Sequence, residues 1–244
     1  MPLRLSTWIV LLLTLVGSHG HAQGIEVVTE ETTYGYLRDG RVVGPASAVV
    51  EATLQRAGLN DYHMAVYPWA RAYDMALQQP NVLIYLIARN PAREPLFHWV
   101  GEVLRVEYHL YRLRGQEHIQ VHSLADAKRY RIGVQRGDVR QQYLKGQGFT
   151  KLVVSAHERE NFRRLLNHQV QLMPLPERDA AKLCAEAGID PARLERVFTL
   201  DDLATGLYMA YSRSTAEELV ARSRAAFASL EGEGLVSRMM MDAP

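Results

Sequence analysis

Residues 82–87, Val-Leu-Ile-Tyr-Leu-Ile, form a continuous apolar run that narrows sharply what this chain can fold into. Six residues are too few for a core helix, β-branched and aromatic side chains fill them, and a turn closes them. They read as a strand buried on both faces, which belongs in a sheet covered on both sides by helices. The loop that follows carries Arg89, Asn90, Pro91, Arg93 and Glu94. Two guanidinium groups therefore stand just beyond the carboxyl end of a buried strand, where open α/β sheets hold their ligands. Phe97 to Val100 form a second short apolar segment, with Gly101 expected to close it.

The surrounding segments alternate between strand and helix periodicity. Residues 25–29 are a short β-branched strand, Asp39-Gly40 marks a tight turn, and Pro45, Val49, Val50, Leu54 and Ala57, stopped by Gly58, have helical spacing. Residues 62–66 form the next strand, and Pro68 opens a helix through Trp69, Ala72, Ala76 and Leu77. Strand, helix, strand, helix, strand predicts a parallel sheet under helices. An extended stretch over 103–113 comes next. Ser123 then caps a short helix, and a buried strand over 131–135 ends at Arg136-Gly137-Asp138, ahead of a helix over 139–145. Further strands are expected over 151–154, 170–173, 194–200 and 207–212. Helices are expected over 157–166, 177–187 and after Ser214, with Ser155/Glu158 and Ser214/Glu217 as capping boxes.

The order of strand, Arg-rich loop with Ala92-Arg93-Glu94, and Phe97-x-Trp99-Val100-Gly101 resembles the bilobal periplasmic solute-binding proteins of the polar amino-acid type. The resemblance covers nearly the whole chain after residue 22. It implies an α/β fold of the type II two-lobe kind, each lobe a mostly parallel sheet flanked by helices. Residues 23–102 would form lobe 1, residues 103–206 lobe 2, and residues 207–244 would return to lobe 1. Lobe closure would enclose a small polar solute, anionic or amino-acid-like, for an ABC permease or a membrane sensor to read. Two other readings stay open on the same fold: a dehydratase-like enzyme with Glu177 and Asp138 as acid or base near Arg93, and an interaction domain that binds no small molecule.

In that family an Arg after the third strand of the first lobe clamps the ligand carboxylate, and Arg93 stands at that place, with Arg89 nearer the strand. Guanidinium suits the role because it meets a carboxylate with two parallel charge-assisted hydrogen bonds. Tyr34 and Trp69 match the family's aromatic walls, and Arg71 is two residues further on. Arg136-Gly137-Asp138 lies where the family binds a carboxylate at a helix N-terminus, although Asp138 also reads as an ordinary N-cap. The sequence departs from the family at two points. Tyr85, Leu86, Ile87 and Ala88 replace small hydroxylated residues, and the acidic residue expected after the strand 170–173 falls on Pro174 to Pro176, leaving Glu177 as the nearest carboxylate.

The N-terminus has Arg4, an apolar run from Trp8 to Val16, and small residues at Gly20 and Ala22. A run of nine residues is about half of the roughly 20 needed to span a bilayer, so residues 1–22 read as a cleaved signal peptide and the protein as periplasmic. Its removal takes away Arg4 alone among charged residues, changing the formal charge from +1 to 0. A neutral chain lacks the electrostatic footprint for nucleic acid, and we expect a monomer. One cysteine, Cys184, cannot form an internal disulfide, so core burial must hold the fold. His118 and His122 bracket an extended segment, and His157-Glu158-Arg159-Glu160-Asn161 lacks the second His of a zinc-protease helix. No Gly-rich phosphate loop, nucleophile elbow or paired-Cys motif is present, so no cofactor, metal or catalytic residue is assigned.

Overall fold

The computed structural model describes residues 24–241. The signal-peptide reading falls on residues 1–22, outside them. Lobe 1 starts with β1 (Ile25–Thr29), the hairpin β2 (Tyr36–Arg38) and β3 (Arg41–Val43), and α1 (Pro45–Arg56). It continues with β4 (Tyr62–Val66), α2 (Trp69–Gln78), β5 (Val82–Ala88) and β6 (Phe97–Val106). The five-stranded sheet has the order β4-β1-β5-β12-β6, β12 being Thr205–Ser212. Its first three strands are parallel, and β12 runs antiparallel to both β5 and β6. β5 lies at the centre with all seven residues buried, as its unbroken apolar run requires.

Pro45 opens α1, where its missing N–H costs nothing, and the helix buries Val49, Val50 and Leu54 against the sheet. Two C-terminal helices, α7 (Glu217–Gly232) and α8 (Leu235–Met241), follow β12 and pack on this same lobe, placing Val220, Phe227, Leu230 and Val236 in one core with Val49 and Leu54.

Lobe 2 is built from β7 (His109–Leu113), α3 (Leu124–Ala127), β8 (Ile132–Gln135), α4 (Val139–Gly146), β9 (Leu152–Ser155), α5 (Glu158–Leu166), β10 (Met173–Leu175), α6 (Glu177–Glu186) and β11 (Leu194–Thr199). β7 lies antiparallel between β10 and β11, β8 and β9 are parallel, and a bridge from Ile132 to Leu172 links the two sets. The chain leaves the first sheet at Glu107 and Tyr108, and returns through a short helical turn at Asp201–Leu203. At these crossings Ala88 and Val106 of lobe 1 share an apolar cluster with Leu110, Ile132 and Val134 of lobe 2.

Several local expectations are corrected. The extended stretch over 103–113 is two strands, β6 and β7, in different sheets, because β6 stays paired with β12 as far as Val106. Ser155 does not cap α5: its Oγ donates to the His157 carbonyl, and Glu158 turns instead toward Arg140. α7 begins after Ala216, with no side-chain cap. β10 starts three residues later than expected and includes Pro174, which an outer strand of a three-stranded sheet tolerates.

Gly101 lies within β6 and does not end it. A Cβ there would sit 2.1 Å and 2.2 Å from Phe227 Cδ1 and Cε1, so the bare backbone is what lets α7 press its aromatic ring onto the strand. Gly101→Ala must push that helix outward, and overpacking of this kind costs about 1–3 kcal/mol. Chemical denaturation should show a loss of that size, and an unchanged midpoint would contradict the packing argument.

Candidate functional site

The carboxyl ends of β1 and β5 in lobe 1 face the N-terminal ends of α4, α5 and α6 in lobe 2. Between them lie two adjoining cavities, of about 560 Å³ and about 50 Å³, which share Glu30, Thr32, Glu158 and Asp179 in their linings. The larger is of the size that holds small-molecule ligands.

Several hydrogen bonds among the described residues tie the lobes across this cleft. Trp69 Nε1 and Arg93 Nη2 both donate to the Gly137 carbonyl, at 3.1 and 3.2 Å. Thr33 Oγ1 donates to Asp179 Oδ1 at 2.9 Å, Lys182 Nζ to the Thr32 carbonyl at 2.8 Å, and Gln135 Nε2 to Glu30 Oε2 at 2.7 Å. Gly137 adopts φ 72°, a left-handed turn that glycine enters without penalty, between Arg136 and the N-cap of α4.

Arg93 is almost fully buried, at 1% exposure, and lines the smaller cavity. Its Nη1 donates to the Ala88 carbonyl at 3.2 Å, and its guanidinium lies 5.0 Å from the Tyr73 ring and 5.6 Å from the Trp69 ring. Its Nε is buried without a partner. Tyr34 and Trp69 line the same small cavity, and the Arg178 guanidinium lies over the Tyr34 ring at 5.4 Å.

Asp138 is buried and caps α4, accepting from the Arg140 backbone N–H at 2.8 Å and from Arg140 Nε at 2.5 Å. Burial alone would raise its pKa, but the Arg140 charge and hydrogen bonds, helped by Arg93, hold it below the usual carboxylate range. Arg140 is itself buried, ion-paired with both Asp138 and Glu158, donates to the Pro174 carbonyl at 3.1 Å and stacks on Tyr108. Burial would ease its proton off, yet the two carboxylates push its pKa well above the usual arginine value.

The other predicted residues lie elsewhere. Arg89 is exposed, forms a two-pronged ion pair with Glu94 at 2.7 Å, and stacks on Trp99 and Tyr208. Arg71 is exposed and stacks on Tyr67, and Arg136 is exposed; neither lines the two cavities. Glu177 is also exposed and lines neither. The extended Pro174-Leu175-Pro176 segment delays α6 until Glu177, and two residues on, about 200° around the helix, Asp179 turns into the cleft. Asp179, not Glu177, is therefore the carboxylate that this segment places in the cleft.

Sequence reasoning also missed Glu30, Gln135, Arg140 and Glu158. Glu30 stands directly beyond β1, a strand-end position of the same kind that drew attention to Arg93. Burial, reinforced by Asp138 and Glu158 against Arg140 and Gln135, pushes Glu30 up to about 8. Burial and Glu158, opposed by Thr33, Arg140 and Lys182, push Asp179 up to about 6. Among the described residues no ion pair reaches either group. No group of three or more His, Cys, Asp or Glu side chains among the described residues could hold a metal ion.

Leu86 has φ 62° inside a strand, a conformation that costs a non-glycine residue about 1–3 kcal/mol. Tyr208 pairs with Ile87 and Met209 with Tyr85, so Leu86 is the extra residue of a β-bulge. The bulge brings Leu86 into the lining of the small cavity, just before the loop that carries Arg93.

Arg140→Ala would leave the buried Asp138 and the half-buried Glu158 without their cation. Breaking a buried pair in this way costs about 3–5 kcal/mol. Thermal unfolding at neutral pH should show a loss of that order, and much of it should return at acid pH, where both acids can take up protons.

No protein-family model and no curated protein sequence matches the chain. Solved structures do, at low identity. A histidine kinase sensor domain with similarity to periplasmic binding proteins superposes with TM-score 0.79 at 15% identity, covering 91% of this chain and 96% of that one. The arginine-, lysine-, histidine-binding protein ArtJ from Geobacillus stearothermophilus gives 0.77 at 16% identity, over 90% and 94% of the two chains. An ancestral arginine-binding protein bound to arginine gives 0.75 at 15%, over 91% and 98%. The chain therefore has the mixed α/β, two-lobe fold of periplasmic binding proteins.

Proposed function

We propose that this protein binds a small polar, amino-acid-like solute that carries a cationic group, by closing its two lobes on it. The observation that carries this reading is the pair Glu30 and Asp179, two carboxylates that face one cleft from opposite lobes with no cation ion-paired to either among the described residues. Half-buried acids of this kind are stabilised by an ammonium or guanidinium between them. Trp69 and Tyr34 supply rigid aromatic walls, over which a cation is also favoured.

The charge balance argues against the purely anionic solute expected from Arg93 alone. Arg93 already spends both Nη groups on carbonyls and lies beside Asp138. Its unpartnered Nε is left to orient an acceptor atom of the solute. Binding of arginine by two of the fold's solved neighbours agrees with this assignment.

The same reading places the protein in the periplasm, reached through a cleaved leader over residues 1–22, with the closed state read by an ABC permease or a membrane sensor. The likeness to a kinase sensor domain supports the sensor branch as much as the transport branch. Acid–base catalysis by Asp138 and Glu177 gains no support, because Arg140 keeps Asp138 ionised and Glu177 faces solvent.

Thermal-shift measurements with L-arginine, L-lysine, putrescine, L-glutamate and succinate test the reading. A cationic compound at 100 times its Kd should add about 2.7 kcal/mol of stability, and succinate should add none. Asp179→Asn should weaken the cationic compound at least tenfold. Stabilisation by the dicarboxylates alone would reverse the assignment and return Arg93 to the role of principal anion clamp.

A further inference from the structure

Glu30 and Asp179 are bound to the opposite lobe, not to their own. Glu30 follows β1 of lobe 1 and accepts from Gln135 at the end of β8 in lobe 2. Asp179, on α6 of lobe 2, accepts from Thr33 of lobe 1. The carboxylates around them already have cations: Asp138 and Glu158 share Arg140, Glu31 and Glu186 meet Arg159, and Glu160 meets Arg164. Glu30 faces Asp138 and Arg140 at the start of α4 and Glu158 at the start of α5. Asp179 faces Glu158 and Arg140, and Lys182 on its own helix. Glu31, His157, Arg159, Glu160, Arg163 and Glu186 complete the charged lining. Over the two cavities seven carboxylates stand against five Lys and Arg side chains.

We propose that Glu30 and Asp179 form a proton-operated catch on the cleft: carrying protons they let the lobes close on each other, and ionised they hold the lobes apart until a cationic group replaces the protons. The catch rests on the reading of the cleft as a closing, cation-binding site. Closure removes part of the water from two half-buried acids that stand among other carboxylates, with no ion pair to either among the described residues, and a carboxylate so placed takes up a proton more readily. Opening rehydrates both and releases it. By linkage, low pH favours the closed form, and a cationic solute expels protons as it binds.

The sign follows from the direction of the shifts. Both groups hold protons more tightly in the folded, closed form than their ordinary values of 4.5 and 3.8, so the stability they contribute is full below those values. It is lost as the pH rises through about 6 for Asp179 and then about 8 for Glu30.

The test uses the chain without added solute, so that it stands apart from the choice of solute. Small-angle scattering and thermal melting are followed from pH 5 to pH 9. The radius of gyration should rise and the melting temperature fall across this range. Glu30→Gln should remove the upper part of both changes and Asp179→Asn the lower part, since each substitute mimics the protonated acid. Carboxyl-carbon NMR of the wild type decides the matter if a variant fails to fold: midpoints in the ordinary carboxylate range overturn the proposal. So does a pH profile that both variants leave unchanged. Calorimetry with L-arginine at pH 7 in phosphate and in Tris should give heats that differ in the sense of proton release. Binding with equal heats overturns the catch, whereas no binding counts against the cationic solute and leaves the pH profile to decide the catch.

Discussion

The buried guanidinium of Arg140 sets the charge balance on which the cleft depends. It joins the N-cap of α4, the first turn of α5 and the Pro174 carbonyl of β10, and it lies over Tyr108, where the chain crosses between the lobes. A charge so deeply placed is tolerable only because two carboxylates and a carbonyl surround it. In satisfying them it uses up its own capacity, and the cleft beyond it keeps an excess of acid. The same interaction that fixes the ends of three lobe 2 elements therefore decides which carboxylates of the cleft are left outside its ion pairs.

Lobe 1 answers with aromatics and strain. Trp69 and Tyr73 flank Arg93, and Trp69 and Arg93 share one acceptor, the Gly137 carbonyl of lobe 2. This bonding makes Arg93 part of the seam between the lobes. The bulge at Leu86 stores backbone strain next to the same seam, supported on both sides by the pairing of β5 with β1 and β12. Strain of this kind persists only where the surrounding sheet over-determines the conformation, and β5 is buried at every position.

Much of the architecture was legible in the chain itself. The apolar run at β5, the Pro-initiated α1 and the alternation of strands with helical periods identified a helix-covered sheet, because patterns of burial are written locally at periods of 2 and 3.6 residues. The N-cap at Asp138 was equally local, and the structure forms it. What failed were features that depend on a distant partner. Gly101 read as a terminator because nothing near it in sequence shows Phe227, whose ring lies against it. Ser155 and Glu158 matched a capping box, but Arg140 competes for Glu158 with a charge that no backbone N–H equals.

The sequence by itself determined that buried strands would end in loops rich in charge, and which loops those would be, since strand ends and turn residues are local properties. It could not determine which charges meet. Arg89 and Arg93 lie four residues apart in one loop, yet one pairs with Glu94 at the surface and the other is buried against lobe 2. Glu177 and Asp179 share a helix turn, and its phase after Pro176 alone turns Asp179 inward. Pairing and desolvation are set by groups more than a hundred residues apart, such as Gln135 on Glu30 and Thr33 on Asp179, and only the packing of two lobes brings them together.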